Sequence, residues 1–197
     1  MKIPLSYYRQ GDVVALARDM LGKKLCTRID GAFTAAMITE TEAYRSWGDR
    51  ACHAHLNRRT SRTEIMFANG GVAYVYLCYG IHHLFNIVTN VEGKAEAVLI
   101  RSVEPLAGLN LMEQRRKFAA TDKRLSSGPG NASKAMGITT DLYGKTLDSN
   151  EIWLEDYHKP DPGKIISATR IGVDYAGEDA LHPWRFYLRN NRYVSRL

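Results

Sequence analysis

The sequence predicts an α+β fold: a single domain over residues 1–197, built on a curved, mostly antiparallel β-sheet with inserted helices and a protruding β-hairpin. Three observations predict it. Several stretches alternate their side chains with the period of two that a half-buried strand requires. Short glycine-containing turns such as Asp30-Gly31 and Glu92-Gly93-Lys94 join consecutive stretches into hairpins. Helical spacing is confined to a few segments inserted between those hairpins.

Taken in order, Asp12 is placed to cap a helix whose apolar positions Val13, Val14, Ala17, Met20 and Leu21 follow helical spacing, and Gly22 stands where a C-terminal cap belongs. Lys23 to Ile29 reads as a strand, Asp30-Gly31 as a tight turn, and Ala32 to Tyr44 as the long returning strand. Alternation along that strand puts Ile38, Glu40, Glu42 and Tyr44 on one face, and Met37, Thr39, Thr41 and Ala43 on the other. A carboxylate and an aromatic ring therefore point the same way. Arg45 to Arg62 is polar and reads as a short helix and a loop carrying His53, His55, Arg58, Arg59 and Arg62. After Asn69-Gly70-Gly71, Val72 to Tyr79 is a strand bearing Tyr74, Tyr76 and Tyr79; Gly80 to His83 joins it to a returning strand, Leu84 to Thr89. In the next strand, Ala95 to Val103, alternation places Ala97, Leu99 and Arg101 on one face, and an arginine in so apolar a strand requires a partner because a lone buried charge is costly. Pro105 to Arg116 has helical spacing, Phe118 to Asn131 is a polar loop, and Ala132 to Met136 a short helix. Ile152 to Glu155, Ile165 to Val173 and Trp184 to Arg189 complete the strands.

Lys and Arg number 27 against 21 Asp and Glu, a net charge of +6 that favours a polyanionic partner without requiring one. Cys26, Cys52 and Cys78 form an odd set with no close pair, which points to a reducing compartment rather than a disulfide framework. The N-terminal residues lack the apolar core of a signal peptide and no stretch of 18 apolar residues occurs, so a soluble, intracellular protein without membrane contact is expected. Carboxylate, flat aromatic walls and a basic chain together suggest a pocket for a flat, electron-poor group with an acid or base inside it.

Glu-Thr-Glu-Ala-Tyr (40–44) with His53 following, Tyr-Val-Tyr-Leu-Cys-Tyr-Gly (74–80), Asn86, Leu-Ile-Arg-Ser-Val-Glu-Pro-Leu (99–106), Ser-Gly-Pro-Gly (127–130) and Arg-Ile-Gly-Val-Asp-Tyr-Ala-Gly-Glu (170–178) occur in this order. Together they resemble the alkyladenine (3-methyladenine) DNA glycosylase family, and the likeness runs from about residue 4 to the C-terminus. One position departs: Asn131 follows Ser-Gly-Pro-Gly where relatives are expected to carry a lysine. The resemblance implies a compact mixed α/β fold that excises alkylated purines from duplex DNA as a monomer, with no cofactor.

By that resemblance Glu42 is the general base that activates a water, Arg101 helps bind the water and pairs with Glu42, and the backbone carbonyl of Ile171 supplies a third contact to the water. Tyr44 and Tyr76 sandwich the everted base, His53 forms a third wall, and Asn86 obstructs the 2-amino group of guanine. Tyr79, beside Gly80 at the hairpin tip, fills the gap left in the duplex, while Arg58 and Arg62 contact the DNA backbone. Without the resemblance, two other readings remain open: a non-catalytic module that stacks bases on its tyrosines, and a hydrolase of free nucleosides. A metal enzyme built on His53, His82 and His83 is disfavoured, because adjacent histidines on a strand point to opposite faces and no carboxylate follows at ligand spacing.

Overall fold

The computed structural model describes residues 1–197. Eight strands form one open sheet in which every pairing is antiparallel: β1 (Lys24–Ile29), β2 (Ala32–Arg45), β3 (Val72–Cys78), β4 (His82–Val88), β5 (Glu96–Ala107), β6 (Ile152–Glu155), β7 (Ile165–Ala168) and β8 (Arg185–Leu188). The order across the sheet is β3-β4-β5-β2-β1-β6, and β8 pairs with both β2 and β7. The helices are α1 (Leu5–Tyr8), α2 (Val13–Asp19), α3 (Leu109–Arg116) and α4 (Pro129–Met136). None is long and apolar enough to cross a membrane. The α+β class, the antiparallel sheet and the inserted helices are as the sequence predicts.

Local chemistry explains most boundaries. Asp12 Oδ1 accepts from the amides of Val14 and Ala15, both at 3.0 Å, which satisfies two donors that the first turn of α2 leaves free. Asp30 and Gly31 both take positive φ, 51° and 78°, and close the β1–β2 hairpin. The long strand β2 then serves three neighbours: β1 along its first half, β8 at Glu40–Glu42, and β5 along nearly its whole length. One face of this sheet packs on the helices to form the main core, with Ile38, Ala43, Ile87, Val98, Ile100 and Val103 among its buried members.

Two of the three register shifts between β2 and β5 reset the alternation near the site, one on each strand. Ile38 pairs with Val103 but Glu40 with Ser102, so Thr39 is extra on β2; Thr41 then pairs with Ile100, so Arg101 is extra on β5. Each extra residue shifts the alternation by one. Ile38 consequently packs into the main core with Ala43 instead of sharing the face of Glu40, Glu42 and Tyr44. The second shift brings the side chains of two consecutive residues, Arg101 and Ser102, to the same carboxylate, Glu40, at 3.2 and 2.9 Å.

Three further expectations are corrected. Pro105–Ala107 belongs to β5, with Pro105 opposite Ala36, and the helix begins only at Leu109, after Gly108 turns the chain with φ 74°. Proline is tolerated there because β4 pairs β5 only as far as Leu99. Helix α4 starts at Pro129, three residues before the expected Ala132, with proline in its first turn. Strand β7 ends at Ala168 rather than Val173, and Gly172 turns with φ 75°.

The segment after β7 is fixed by a buried ion pair. Arg170 and Asp49, both with side chains fully buried, meet through two bonds of 2.7 Å, and Arg170 also donates to the carbonyls of Ala43 and Asp179. Removing one partner strands a charge in the interior. Asp49→Asn is therefore expected to destabilise the fold by about 3–5 kcal/mol in denaturant unfolding; a loss below about 1 kcal/mol would show that the pair does not hold this segment.

Candidate active site

The face of the sheet opposite the main core carries a row of paired residues across five strands. Tyr74 of β3 opposes Asn86 of β4, Asn86 opposes Leu99 of β5, Leu99 opposes Glu42 of β2, and Glu42 opposes Arg185 of β8. Directly opposed residues share a face, so aromatic ring, amide, carboxylate and guanidinium lie along one line. Above them is a cavity of about 260 Å³ lined by Tyr44, His53, Met66, Tyr74, Tyr76, Tyr79, Asn86, Leu99, Arg101, Ile171 and Tyr175, among others. It is smaller than the ~300–1,000 Å³ of drug-sized ligand sites, as befits one small flat group.

Glu42 is wholly buried, one layer behind this lining. Its Oε1 accepts from the Ile171 amide at 2.8 Å, its Oε2 from the Tyr44 hydroxyl at 2.7 Å, and Arg101 Nη1 lies 3.3 Å from Oε2. All three partners themselves line the cavity. The contact from Ile171 in this structure is made by its N–H. Burial, reinforced by the Glu42 charge, pushes the Tyr44 phenol well above its ordinary range, so it stays protonated and can only donate to the carboxylate. Burial alone would lower the pKa of Arg101, but Glu42 and Glu40 outweigh it and the net direction is upward. Arg101 is a permanent cation.

The walls follow from strand periodicity. Tyr74 and Tyr76, two residues apart on β3, stand on the same side with ring centroids 5.4 Å apart. His53 packs edge-on against Tyr76 at 4.7 Å, and its Nδ1 lies 2.8 Å from the Tyr74 hydroxyl. The Tyr44 ring is backed by the Arg170 guanidinium at 4.8 Å, so Tyr44 is held at both its edge and its face. Asn86 is buried, and its Nδ2 donates to the carbonyls of Tyr74 and Leu84 at 3.2 and 3.4 Å.

At the hairpin tip, Tyr79 departs from the strand that was expected to include it. It sits in the turn with φ 50°, next to Gly80 at φ 72°, while the Cys78 carbonyl accepts from the Ile81 amide at 3.1 Å. A tyrosine in the left-handed region carries strain of roughly 1–3 kcal/mol. The ring is 91% exposed and Ile81 beside it 71%, so the tip presents apolar surface to solvent. Arg62 lies with its guanidinium 5.5 Å from the Tyr76 ring at the cavity rim, and Arg58 is exposed nearby. Arg59, in contrast, is folded back onto Glu64 and the Phe67 ring.

Several residues of this region escape sequence reading. Tyr74 and Tyr175 are cavity walls, and Ser102, Arg185 and Ser195 converge on Glu40 with no local pattern to announce them. On the other side of the hairpin a second depression is lined by Ile81, His82, His83, Arg115, Arg116 and Lys134 and by no acidic residue. The signal for it was in the sequence, as the doublet Arg115-Arg116 at the end of a helix.

A ring-walled cavity of about 260 Å³, lined in part by Arg101 and with the Glu42 carboxylate one layer behind it, offers aromatic faces for a flat group and a carboxylate for acid–base chemistry. Comparison with known proteins places the chain more narrowly. Residues 6–192 match the family described as methylpurine-DNA glycosylase. A protein of Natranaerobius thermophilus named "Putative 3-methyladenine DNA glycosylase" is 42% identical over 197 residues, covering 99% of each chain. Proteins of the same name from Bacillus thuringiensis, 40% identical over 206 residues with both chains fully covered, and Chlamydia felis, 42% identical over 187 residues with 94% and 95% covered, are similarly related. The chain belongs to the methylpurine-DNA glycosylase family. It is a DNA glycosylase, a hydrolase of N-glycosyl bonds whose substrate is DNA.

Burial first, and the Arg62 charge second, lower the His53 pKa from 6.5 to about 4, so the ring is neutral at neutral pH. A histidine with a depressed folded-state pKa contributes stability that is present above the unfolded value and is lost as pH falls through the interval down to the folded value. The melting temperature is therefore expected to fall between about pH 6.5 and 4, and to fall less in His53→Gln. Equal slopes for the two proteins would place the lost stability elsewhere.

Proposed function

We propose that the protein is a monofunctional glycosylase for damaged purines, chiefly N-alkylated ones such as 3-methyladenine and 7-methylguanine, that everts the nucleotide from duplex DNA and hydrolyses its glycosidic bond with a water activated by Glu42. One observation carries this reading: Glu42 is held at three points by Tyr44, Arg101 and Ile171, and all three face the base-sized cavity.

An alkylated purine with a formal positive charge is already an activated leaving group. The C1′–N bond breaks with its electron pair passing to the ring, which leaves neutral, while the sugar becomes oxocarbenium-like. Water then forms the new C1′–O bond and its proton passes to Glu42, whose negative charge also stabilises the developing cation. Arg101 orients the water beside the carboxylate. Oε1 accepts only from the Ile171 amide, against two contacts on Oε2, and so keeps a lone pair for the water. The cavity lining includes no lysine, so no amine is placed to form a Schiff base with the sugar. The product is an abasic site in an uncut strand, the first intermediate of base excision repair.

Tyr44 and Tyr76 take the two faces of the everted base, and cation–π attraction to a charged ring adds roughly 0.5–2 kcal/mol per face. In the tautomer whose Nδ1 accepts from the Tyr74 hydroxyl, neutral His53 carries its proton on Nε2 and offers it to the base edge. Asn86, held rigidly against its own strands, obstructs the guanine 2-amino group. Tyr79 enters the duplex where the base left it, its strained turn having aimed the ring outward in advance. Arg58 and Arg62 on one side of the hairpin, and Arg115, Arg116 and Lys134 on the other, contact phosphates, so binding is salt-dependent and sequence-independent. The protein acts as a monomer inside the cell.

Glu42→Gln is expected to bind lesion duplex normally and to lose single-turnover excision by about 10³-fold or more; near-normal excision would end the assignment of Glu42. Tyr79→Ser is expected to keep the fold and to lower the flipped fraction of a fluorescent base analogue in duplex DNA. An unchanged flipping equilibrium would remove Tyr79 from the mechanism.

A further inference from the structure

Glu40, the first acid of the Glu-Thr-Glu-Ala-Tyr segment, does not line the cavity, yet it is the most heavily bonded carboxylate in the protein. It is fully buried. Its Oε1 accepts from Arg101 Nε at 3.2 Å, Arg185 Nη1 at 2.9 Å and Ser195 Oγ at 3.0 Å; its Oε2 accepts from Ser102 Oγ at 2.9 Å and the Ser195 amide at 2.8 Å. Each bonded group leads to a different part of the site. Arg101 reaches on to Glu42. Arg185 donates from Nε to the carbonyl of Thr169, two residues before Ile171. Ser102 accepts from the amide of Gly128, next to Pro129 in the cavity wall. Ser195 donates to Glu40 while also meeting Arg101 Nη2 at 3.4 Å.

We propose that Glu40 is a positioning residue for the glycosylase reaction: it fixes the guanidinium of Arg101 through Nε so that Nη1 faces Glu42, and it ties the segment of Ile171, the start of α4 at Pro129 and the C-terminal segment to that one orientation. The inference rests on the reading of Glu42 and Arg101 given above. An arginine between two acids has a choice of partner. Were Glu40 neutral, Arg101 would be free to turn its whole fork onto Glu42 in a bidentate pair, leaving no edge of the carboxylate for water. With Glu40 charged, the Nε edge of the fork is occupied and only one terminal nitrogen reaches Glu42. The charges close the count: Glu40 and Glu42 bear two negatives, Arg101 and Arg185 two positives. The placement is possible only because the β5 bulge sets Arg101 and Ser102 on the same side.

The test is a double-mutant cycle on single-turnover excision of 7-methylguanine from a duplex, with affinity for abasic-site duplex measured alongside. Glu40→Gln is expected to lose roughly 100-fold in rate with little change in affinity, the effect of misplacing a catalytic group by about 1 Å. In an Arg101→Gln background the same change is expected to cost nothing further, because Glu40 acts through Arg101. A full wild-type rate in Glu40→Gln, or a loss that adds undiminished to that of Arg101→Gln, would overturn the proposal. If Glu40→Gln does not fold, Ser195→Ala carries the test: it removes one hydroxyl from Oε1 and from Arg101, and is expected to slow excision about 10-fold, whereas an unchanged rate would overturn the proposal. Failure of the underlying reading is distinguishable, since it would appear as active Glu42→Gln.

Discussion

The structure depends on one buried arrangement of charge: Glu40 and Glu42 on β2, Arg101 on β5 and Arg185 on β8, brought to one side of the sheet where three antiparallel strands meet. Each ion alone would face a desolvation penalty of several kcal/mol. Placed together and hydrogen-bonded, they offset one another: burial raises the pKa of Glu40, but the Arg101 charge and the donors of Ser195 and Arg185 prevail and the net shift is downward. Glu40 therefore remains a carboxylate throughout the physiological range. Such a cluster adds less to stability than an apolar core of equal volume would. What it provides is orientation, in a buried region where electrostatic contacts are stronger than in bulk water.

The two halves of the sheet divide the labour. The face packed on α2, α3 and α4 holds the aliphatic core, and the opposite face carries the rings and polar groups of the cavity. The hairpin β3–β4 belongs to both, since its base supplies Tyr74, Tyr76 and Asn86 to the cavity while its tip carries Tyr79 out to solvent. The cavity walls and the exposed tip ring are thus positioned by one element, and the distance between them is set by strand geometry. The Arg170–Asp49 pair does the same for the remaining wall, backing Tyr44 and presenting the amide of Ile171.

Much of this was legible in the residues. Asp12 as a cap, Asp30-Gly31 as a turn and the tyrosine-rich hairpin are determined by local chemistry that a sequence displays directly. Alternation correctly grouped Ala97, Leu99 and Arg101, and it grouped Glu40, Glu42 and Tyr44, because within each run the strand is regular. It failed for Ile38, since a bulge depends on how two strands far apart in sequence match their pairing. Pro105 to Ala107 differs for a related reason: Leu106, Leu109 and Met112 keep helical spacing, but pairing with β2 captures the first part as strand. The Pro129 start of α4 is readable, because proline is favoured in the first turn of a helix. The roles of Glu40, Arg185 and Ser195 were not readable, as residues 40, 185 and 195 share no motif and meet only in the folded chain.

The central claim, that Glu42 delivers water to the sugar of an everted nucleotide, is tested most directly by a crystal structure of the protein bound to a duplex carrying an uncleavable analogue of an alkylated purine nucleotide. The account predicts the base between Tyr44 and Tyr76, and a water about 3 Å from a Glu42 oxygen, in contact with Arg101 and facing C1′ on the side away from the base. A bound nucleotide with Glu42 still closed off by the Tyr44 hydroxyl and the Ile171 amide, and no water between it and the deoxyribose, would contradict it.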